Sequence, residues 1–550
     1  MTHAEAFIRC CATDNWRGRE PWVETHGYHH EVAPRRVGAL TEKFESHKLS
    51  HMSMDSSFFA DLEWEGLQSP IDLTSLEQSD ELVPGCETAS VRRDDSFRIQ
   101  CEVRGVAEGP FGAFDGWQDR PIKTFTLAGH SFGYSARLLN CHVVGMNSGW
   151  GRVTHNPFVL RVLTDRLIQE SVGIREKNSH IDWFLNGPKA GIFFERQITR
   201  KTSHQYSREV QGVPEYQCDR DTSLPGWHRD CALIKLANFT FLLRTVPKEY
   251  GPTWSRQVAI EYSKQLSTIP PDETREAVGE LVSFIFGRQL IDVGDTTLGE
   301  KNWPSETRSW NPRGINVLSL CSQIDFPPIP IDGIQHKKVS HLETLLKTLT
   351  PRYLQLRNLL SLDHALWRYW VFQEMYVGVN LPMIVNALEI LATAWFASPF
   401  SPSKGEFISE TSFKELLVED LASIRAKLEK AAPLIVRPLM ERVQNSFIRG
   451  QNSRTREFFT ELGLSISEEE AAAMEARHDQ IHSFVVETES NDLWRKGEIL
   501  RTLFYKVMLR LLDYSGPYLD YGMQVPTVRE LVPNSQHNEN YHSFISQSAS

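Results

Sequence analysis

The first half of the chain alternates between apolar and polar residues with the two-residue period of β-strands. The alternation is clear over residues 97–103, and it returns over residues 122–127 and 132–138. Successive side chains of a strand point to opposite faces of a sheet, so this period predicts strands with one buried face. Glycine and proline separate the runs, as is typical of turns. We therefore expect an antiparallel sheet or sandwich in this half.

One stretch of the same half has helical spacing. Apolar residues recur every three or four positions between Pro271 and Phe286, and Gly287 follows as a natural helix stop. Farther along, residues 326–331 contain three prolines in four positions. Such a segment cannot continue a helix or a central strand, because proline lacks the backbone N–H. We expect this proline-rich segment to end the β-rich part of the chain.

Beyond the proline-rich segment almost every apolar pattern is helical. Residues 342–349 and 352–376 are expected to form one or two helices. Further helices are expected over residues 381–396, 412–449 with breaks at Pro433 and Pro438, and 455–462. Gly463 ends the last of these, and Ser467-Glu468-Glu469-Glu470 has the form of a capping box that starts another helix. The closing helix, over residues 492–514, carries a wide apolar face that requires a buried partner.

These patterns predict an α+β protein in which a β-rich N-terminal domain precedes an all-α C-terminal helical bundle. A chain of 550 residues is too long for one ordinary core and should divide into domains. The expected divisions are a disordered segment or mis-assigned start over 1–54, with Met52 or Met54 as alternative starts, a β-rich sensor or regulatory domain over 55–335, connecting helices over 336–378, a helical domain over 379–520, and a polar tail over 521–550.

Composition narrows the classes of function. The net charge of −11 argues against a protein that coats nucleic acid, which needs clustered Lys and Arg, so any RNA contact must be local. Eight cysteines without a framework spacing indicate a reducing cytoplasm. Cys218, His228 and Cys231 lack an evident fourth ligand, so we expect no metal and no cofactor. The longest apolar run, 381–397, is too short to span a bilayer, and we expect no membrane partner.

The strongest candidate for chemistry is Arg477-His478-Asp479-Gln480-Ile481-His482, in the helix that the capping box starts. Histidine can transfer a proton near neutral pH, and the arginine fork can hold a phosphate. Together they could promote attack of a ribose 2′-hydroxyl on the adjacent phosphodiester without a metal. Positions five apart differ by about 140° around an undistorted helix. Arg477 and His482 therefore need a helix end, converging side chains or a second subunit to act together.

The same spacing of arginine and histidine occurs elsewhere in the chain. Arg137 and His142 lie in a predicted strand, and the polar run from Arg175 to His180 is interpreted as a solvated loop. A stronger competitor is the pair Arg357 and His364, in which Asn358 follows the arginine. We prefer Arg477 and His482, because a capped helix leads into them and an apolar closing helix follows.

A serine hydrolase is a third class of function that the sequence allows, since residues 129–133 spell G-x-S-x-G. A nucleophile elbow needs a strand before the serine and a helix after it. The residues that follow alternate like another strand, so we expect a hairpin at this position.

The helical half resembles the HEPN domains, whose mark is R-x4-6-H with a polar residue after the arginine. His478 takes that polar position in the motif from Arg477 to His482. The order of parts is also similar: an opening helix that contains Asn386-Ala387-Leu388-Glu389, then Leu462-Gly463-Leu464 before the motif helix, then the apolar closing helix. The whole chain is similar to the ApeA-type anti-phage proteins, in which a β-rich domain precedes a HEPN domain, with residues 180–184 and 283–287 as the N-terminal likeness.

This resemblance implies a metal-independent endoribonuclease with Arg477, His478 and His482 at its catalytic site. It further implies an RNA substrate, a homodimer formed through the helical domain, and abortive defence in which a phage-derived trigger acts on the β-rich domain. The alternative is a non-catalytic scaffold whose helical domain only dimerises or binds a partner, which the negative net charge without a strongly basic run favours.

Overall fold

The chain divides into two units, Met1–Ser53 and Met54–Ser550. In the second unit the computed structural model describes residues 71–77, 85–108, 124–131, 133–148, 155–171, 177–188, 200–210, 213–224, 231–246, 256–299, 304–312, 324–331, 341–377, 379–431, 436–444, 446–482 and 490–531. The predicted N-terminal segment 1–54 lies outside these residues, and so does the tail beyond residue 531.

The described elements follow the predicted order of strands and then helices. The strands are β1 (Ile71–Leu73), β2 (Cys86–Arg93), β3 (Ile99–Glu108), β4 (Phe125–Ser131), β5 (Tyr134–Ser148), β6 (His155–Leu163), β7 (Arg166–Ser171), β8 (Ser179–Leu185), β9 (Arg200–Val210), β10 (Val213–Leu224), β11 (Cys231–Lys235), β12 (Thr240–Thr245), β13 (Val258–Ser263), β14 (Ile291–Leu298), β15 (Pro304–Trp310), β16 (Gly516–Asp520) and β17 (Thr527–Leu531). The helices are α1 (Asp272–Phe286), α2 (Leu342–Leu356), α3 (Leu362–Glu374), α4 (Leu381–Ala397), α5 (Glu410–Ala431), α6 (Val436–Gln444), α7 (Gln451–Glu461), α8 (Glu468–His482) and α9 (Ser490–Leu511).

The N-terminal half is built around one large antiparallel sheet. Twelve of its strands follow the order β1-β2-β3-β6-β5-β7-β15-β14-β8-β13-β12-β11, and β4 also pairs with β5. Each described pair in this sheet is antiparallel. The antiparallel sheet and the α+β class are therefore confirmed. The hairpins β9–β10 and β16–β17 form two separate pairs.

The first strands close into a ring of six. Strands β6 and β7 follow one another along β5, where His142 pairs with Leu163 and Leu139 with Arg166. At the other end of the order, the backbone N–H of Thr74 in the segment after β1 donates to the carbonyl of His130 in β4 at 2.8 Å, and the reverse bond measures 2.9 Å. The ring β1-β2-β3-β6-β5-β4 encloses a separate apolar core. The apolar residues of each alternating run therefore point into the ring.

Three cysteines of this ring are buried thiols. Burial raises the pKa of Cys86 to about 12 and that of Cys141 to about 11, and it also raises the pKa of Cys101. The thiolate is the form that reacts with alkylating agents. We expect iodoacetamide at pH 8 to label these thiols at least about tenfold more slowly in the native protein than in urea, as measured by mass spectrometry of their peptides. Equal rates in the two states would contradict this burial.

Helix α1 covers one face of the sheet and ends as predicted. Its C-cap, Gly287, has a φ of 67°, in the left-handed region. A Cβ there would lie 1.9 Å from the carbonyl carbon of Phe326, so the glycine is needed for both its conformation and its packing. Within the helix, a Cβ on Gly279 would come to 3.1 Å from the ring of Phe184 in β8. Small residues thus let α1 lie close to the central strands.

The proline-rich segment is packed against the helical half. The hydroxyl of Tyr505 in α9 donates to the carbonyl of Phe326, and the hydroxyl of Tyr521 donates to that of Pro327 at 2.9 Å. The carbonyl of Pro328 accepts a hydrogen bond from the backbone N–H of Leu519 in β16, also at 2.9 Å. One apolar core runs without interruption from strand β8 through α1 and the proline-rich segment. It continues through helices α2, α3 and α4 and reaches α9.

Two prolines, Pro351 and Pro438, lie inside helices and do not separate them. Of the one or two helices expected over 342–349 and 352–376, the structure has two. They divide after Leu356 and not at Pro351, because the apolar face of α2 is buried on both sides of the proline. Pro438 does not break a helix, because it stands in the first turn of α6, where its missing N–H has no intrahelical partner. The break expected at Pro433 lies outside the described residues.

The C-terminal end also differs from its expected form. The segment from residue 521 was predicted as a polar tail, but Thr527–Leu531 pairs with Gly516–Asp520 as a hairpin after α9. Leu519 and Leu531 are buried in the apolar core, which explains why this short hairpin is ordered by tertiary contacts and not by its own sequence pattern. Across the described part of the chain, no helix has both the length and the apolar character needed to cross a membrane.

Candidate functional site

The motif helix α8 begins at the predicted capping box. The backbone N–H of Ser467 donates to the carboxylate of Glu470 at 2.9 Å, and the backbone N–H of Glu470 donates to the hydroxyl of Ser467 at 3.2 Å. These two bonds satisfy donors that a helix start leaves without partners. The capping box is confirmed, and it fixes the residue at which α8 starts.

Small side chains dock α8 into the helical core. Ala473 and Ala476 are buried, and α8 packs against α4 and α9. Phe458 and Phe459 of the preceding helix α7 belong to the same apolar core. Alanine permits close approach of helix backbones at a modest gain per side chain. The position of α8 is therefore set by its neighbours as well as by its cap.

Three ion pairs connect glutamates of α8 to neighbouring helices. Lys506 of α9 reaches Glu470 at 2.6 Å, and Arg495 of α9 reaches Glu469 at 3.2 Å. Arg456 of α7 reaches Glu475 at 3.2 Å. The Glu470 pair is enclosed, with side-chain exposures of 11% and 14%, whereas both members of the other two pairs are at least 59% exposed. Exposed pairs contribute little to stability.

The predicted catalytic residues Arg477, His478 and His482 occupy the C-terminal end of α8, which the structure describes through His482. Their side chains lie outside the described residues. The backbone places all three in one continuous helix, so Arg477 and His482 stand about 140° apart around its axis. Their convergence remains a prediction.

In the competing pair, a glutamate of α1 holds the arginine, and the histidine is exposed. Arg357 binds Glu280 of α1 with a two-point fork, with its Nε 2.7 Å from Oε2 and its Nη2 2.8 Å from Oε1. Tyr353 donates to the same carboxylate at 2.8 Å. The side chain of His364 is 75% exposed and lies 3.9 Å from Asp363. Arg357 therefore ties α2 to α1, and its guanidinium is already engaged by a carboxylate.

Two further motifs have structural roles. Arg137 of β5 binds Glu170 of β7 across the sheet at 2.8 Å, and His142 lies in β5, as predicted for a strand. In the G-x-S-x-G run, Ser131 at the end of β4 pairs with Tyr134 at the start of β5, and Gly133 has a φ of 80°. The predicted hairpin is confirmed, because the element that follows the serine among the described residues is strand β5.

His180 is not in a solvated loop, as the sequence had suggested, but is a buried residue of β8. Its Nε2 lies 3.1 Å from Asp182, and its Nδ1 lies 3.0 Å from the hydroxyl of Thr297. The carboxylate of Asp295 lies 3.7 Å from the same Nε2. Strand β8 lies in the middle of the sheet with both faces covered, so the polar residues that alternate along it are buried too.

Two arginines complete this charged cluster beneath α1. Arg275 of α1 donates to Asp182 at 3.2 Å, and Arg308 of β15 donates to Asp295 at 2.9 Å. Arg308 also reaches Asp272 at the helix start, at 3.1 Å. Burial alone would raise the pKa of Asp272, but Arg275 and Arg308 hold it at about 2. The cluster thus joins the start of α1 to three strands.

The role of this charged cluster is structural, because arginines already engage its carboxylates. His180, Asp182 and Asp295 lie close enough together to be considered as metal ligands. Their carboxylates, however, already accept hydrogen bonds from Arg275 and Arg308, so a cation would compete with two guanidiniums for the same oxygens. The alternating pattern His-x-Asp in a buried strand was the signal that sequence reasoning missed.

Comparison of the chain with protein-family models, with curated proteins and with solved structures gave no match.

Proposed function

We propose that this protein is a metal-independent endoribonuclease that acts through Arg477, His482 and His478. The observation that carries the proposal is the R-x4-H motif on a capped helix, α8, which is docked on α4 and α9 in a helical domain. His482 takes the proton of a ribose 2′-hydroxyl, whose oxygen attacks the adjacent phosphorus while the bond to the 5′ oxygen breaks. Arg477 holds the phosphate and stabilises its developing charge.

The products are a 2′,3′-cyclic phosphate and a 5′-hydroxyl, which takes up a proton. His478, the polar residue after the arginine, helps to bind the RNA backbone. The helical domain forms a homodimer that brings two motifs into one cleft, and the β-rich half holds the nuclease at a low basal rate until a phage-derived trigger raises that rate. The protein acts in the cytoplasm of a bacterial host in abortive defence. These assignments rest on the resemblance to HEPN proteins.

A bacterial host expressing wild type, His482→Ala or His364→Ala tests this proposal. His364 is an exposed histidine in the competing motif and serves as the matched control. With phage challenge we expect growth arrest and broken total RNA in the wild type and the control, and neither in His482→Ala. All three proteins should be folded and equally abundant. Identical behaviour of the wild type and His482→Ala would reject the nuclease.

The second candidate function is a non-catalytic scaffold. Helix α5 exposes large apolar side chains, with Leu416 at 71% and Val418 at 62%. Positions two apart stand about 160° apart around a helix, so a partner that covers both side chains would have to wrap around α5. In that case Leu416→Lys would abolish partner binding or dimerisation, whereas His482→Ala would leave growth and RNA unchanged.

A further inference from the structure

Glu470 differs from the other two paired glutamates of α8 in doing two things at once. One carboxylate oxygen, Oε2, accepts the backbone N–H of Ser467 at 2.9 Å, and the other, Oε1, lies 2.6 Å from the ammonium of Lys506. Glu470 is 9% exposed, and its partner side chain is 14% exposed. Because both oxygens are engaged, the carboxylate fixes the start of α8 to a defined place on α9.

We propose that Glu470 and Lys506 are the positioning pair of the nuclease, holding α8 at the axial and rotational setting on α9 from which the motif acts. This inference rests on the proposed function. Glu470 and Lys506 touch neither RNA nor the reacting atoms. They act through the helix whose far end carries Arg477 and His482.

A small tilt of α8 at this pair displaces the motif at the other end of the helix. The twelve residue-to-residue steps from Glu470 to His482 span about 18 Å along the helix. A tilt of about 3° at the capped end would therefore move the motif end by about 1 Å. A misplacement of that size can lower a rate by as much as a hundredfold, because catalytic groups must meet the reacting atoms within a few tenths of an ångström.

The exposed pairs do not hold α8 in the same way. Glu469 with Arg495 and Glu475 with Arg456 are each more than half exposed, so water and salt compete for their charges. Glu470, in contrast, also accepts the cap hydrogen bond from the backbone N–H of Ser467. The same Glu→Gln change can therefore be compared at Glu470, whose ion pair is enclosed, and at Glu469 and Glu475, whose ion pairs are exposed.

The experiment uses the full chain and a fluorophore- and quencher-labelled single-stranded RNA of random sequence. Lys506→Met removes the ion pair and leaves the capping box in place, while Glu470→Gln removes the charge and keeps an amide that can still cap. We expect each to lower kcat about tenfold with KM changed less than about twofold. Glu469→Gln and Glu475→Gln should match the wild type, and Lys506→Arg should restore most of the rate.

A purely structural role would give a different result. Ser467→Ala removes the cap and keeps the ion pair, so a loss of rate that follows the cap and not the pair would overturn the inference. Wild-type kcat in both Lys506→Met and Glu470→Gln, when Arg477→Ala and His482→Ala are inactive, would overturn it while leaving the nuclease intact.

Hydrogen exchange keeps the inference testable even if the wild type does not cleave RNA. Backbone amides of the second half of α8 should exchange at least about threefold faster in Lys506→Met than in Glu475→Gln, because the freed helix moves relative to α9. Equal exchange in the two variants would overturn the positioning role. Absence of cleavage by the wild type, with this difference in exchange present, would reject only the proposed nuclease.

Discussion

Purified protein with His482 replaced by alanine is expected to cleave single-stranded RNA at least about a hundredfold more slowly than the wild type. The reason is that proton transfer from the 2′-hydroxyl loses its base, and water replaces a positioned imidazole poorly. The assay follows release of fluorescence from a quenched RNA, with EDTA present throughout. Wild-type activity should persist in EDTA, because the proposed chemistry uses only imidazole and guanidinium groups.

Variants of Arg477 separate the effect of its positive charge from the effect of its side-chain shape in the same assay. Arg477→Lys keeps the positive charge but loses the bidentate fork, so its rate should fall between those of the wild type and Arg477→Ala. His364→Ala should cleave as the wild type does, since His364 is exposed and apart from the motif helix. Cleavage that disappears in EDTA, or that survives in His482→Ala, would contradict the proposed mechanism.

Replacing Asp295 by asparagine is expected to lower the free energy of unfolding by about 3 kcal/mol. Asp295 is 1% exposed and accepts hydrogen bonds from both donors of the Arg308 fork, with Arg275 3.6 Å away. The substitution keeps the size of the side chain but removes the counter-charge of two arginines under α1. Burial raises the pKa of Asp295, but we expect the loss of its ion pairs to outweigh the relief of that burial, because Arg275 and Arg308 stay charged without this partner. Urea denaturation followed by circular dichroism measures the change, and an unchanged midpoint would show that the cluster does not hold α1 to the sheet.

The neighbouring carboxyl should respond with the opposite sign. Burial raises the pKa of Asp292 well above its ordinary value, and the negative charges of Asp182 and Asp295 raise it further. A group whose folded pKa is raised contributes stability below its unfolded pKa, and that contribution is lost as the pH rises through the folded pKa. Asparagine imitates the protonated carboxyl, so Asp292→Asn should be more stable than the wild type, with a larger gain at pH 8 than at pH 5. A loss of stability at pH 8 would contradict this assignment.

Several helix ends and strands of this protein could be predicted from the sequence, because they depend on local interactions. Gly287 ends α1 because the stop needs only a left-handed φ, and Ser467 with Glu470 starts α8 through bonds three residues apart. The alternating runs around Ile99 and Phe125 became strands β3 and β4 because the period of a strand is a property of neighbouring residues. The motif from Arg477 to His482 was visible for the same reason.

Other parts depended on partners far along the chain. His180 meets Thr297, 117 positions away, and Arg357 meets Glu280, 77 positions away. No periodicity links such residues, so neither the buried cluster nor the occupied state of the competing arginine could be inferred from spacing. The pair of Glu470 and Lys506, 36 positions apart, was hidden in the same way.

The sequence by itself thus determined the α+β class, the order of strands and helices, the helix stops and the capped start of the motif helix, because these follow from interactions between residues close along the chain. Only the tertiary structure decided that β1 closes on β4, that α2 continues through Pro351, that the proline-rich segment packs inside one continuous core, and that charged residues of α1 and three strands meet in one cluster. Burial and pairing between distant segments settle these features, and the energy of a buried charge depends on partners that the local sequence does not contain.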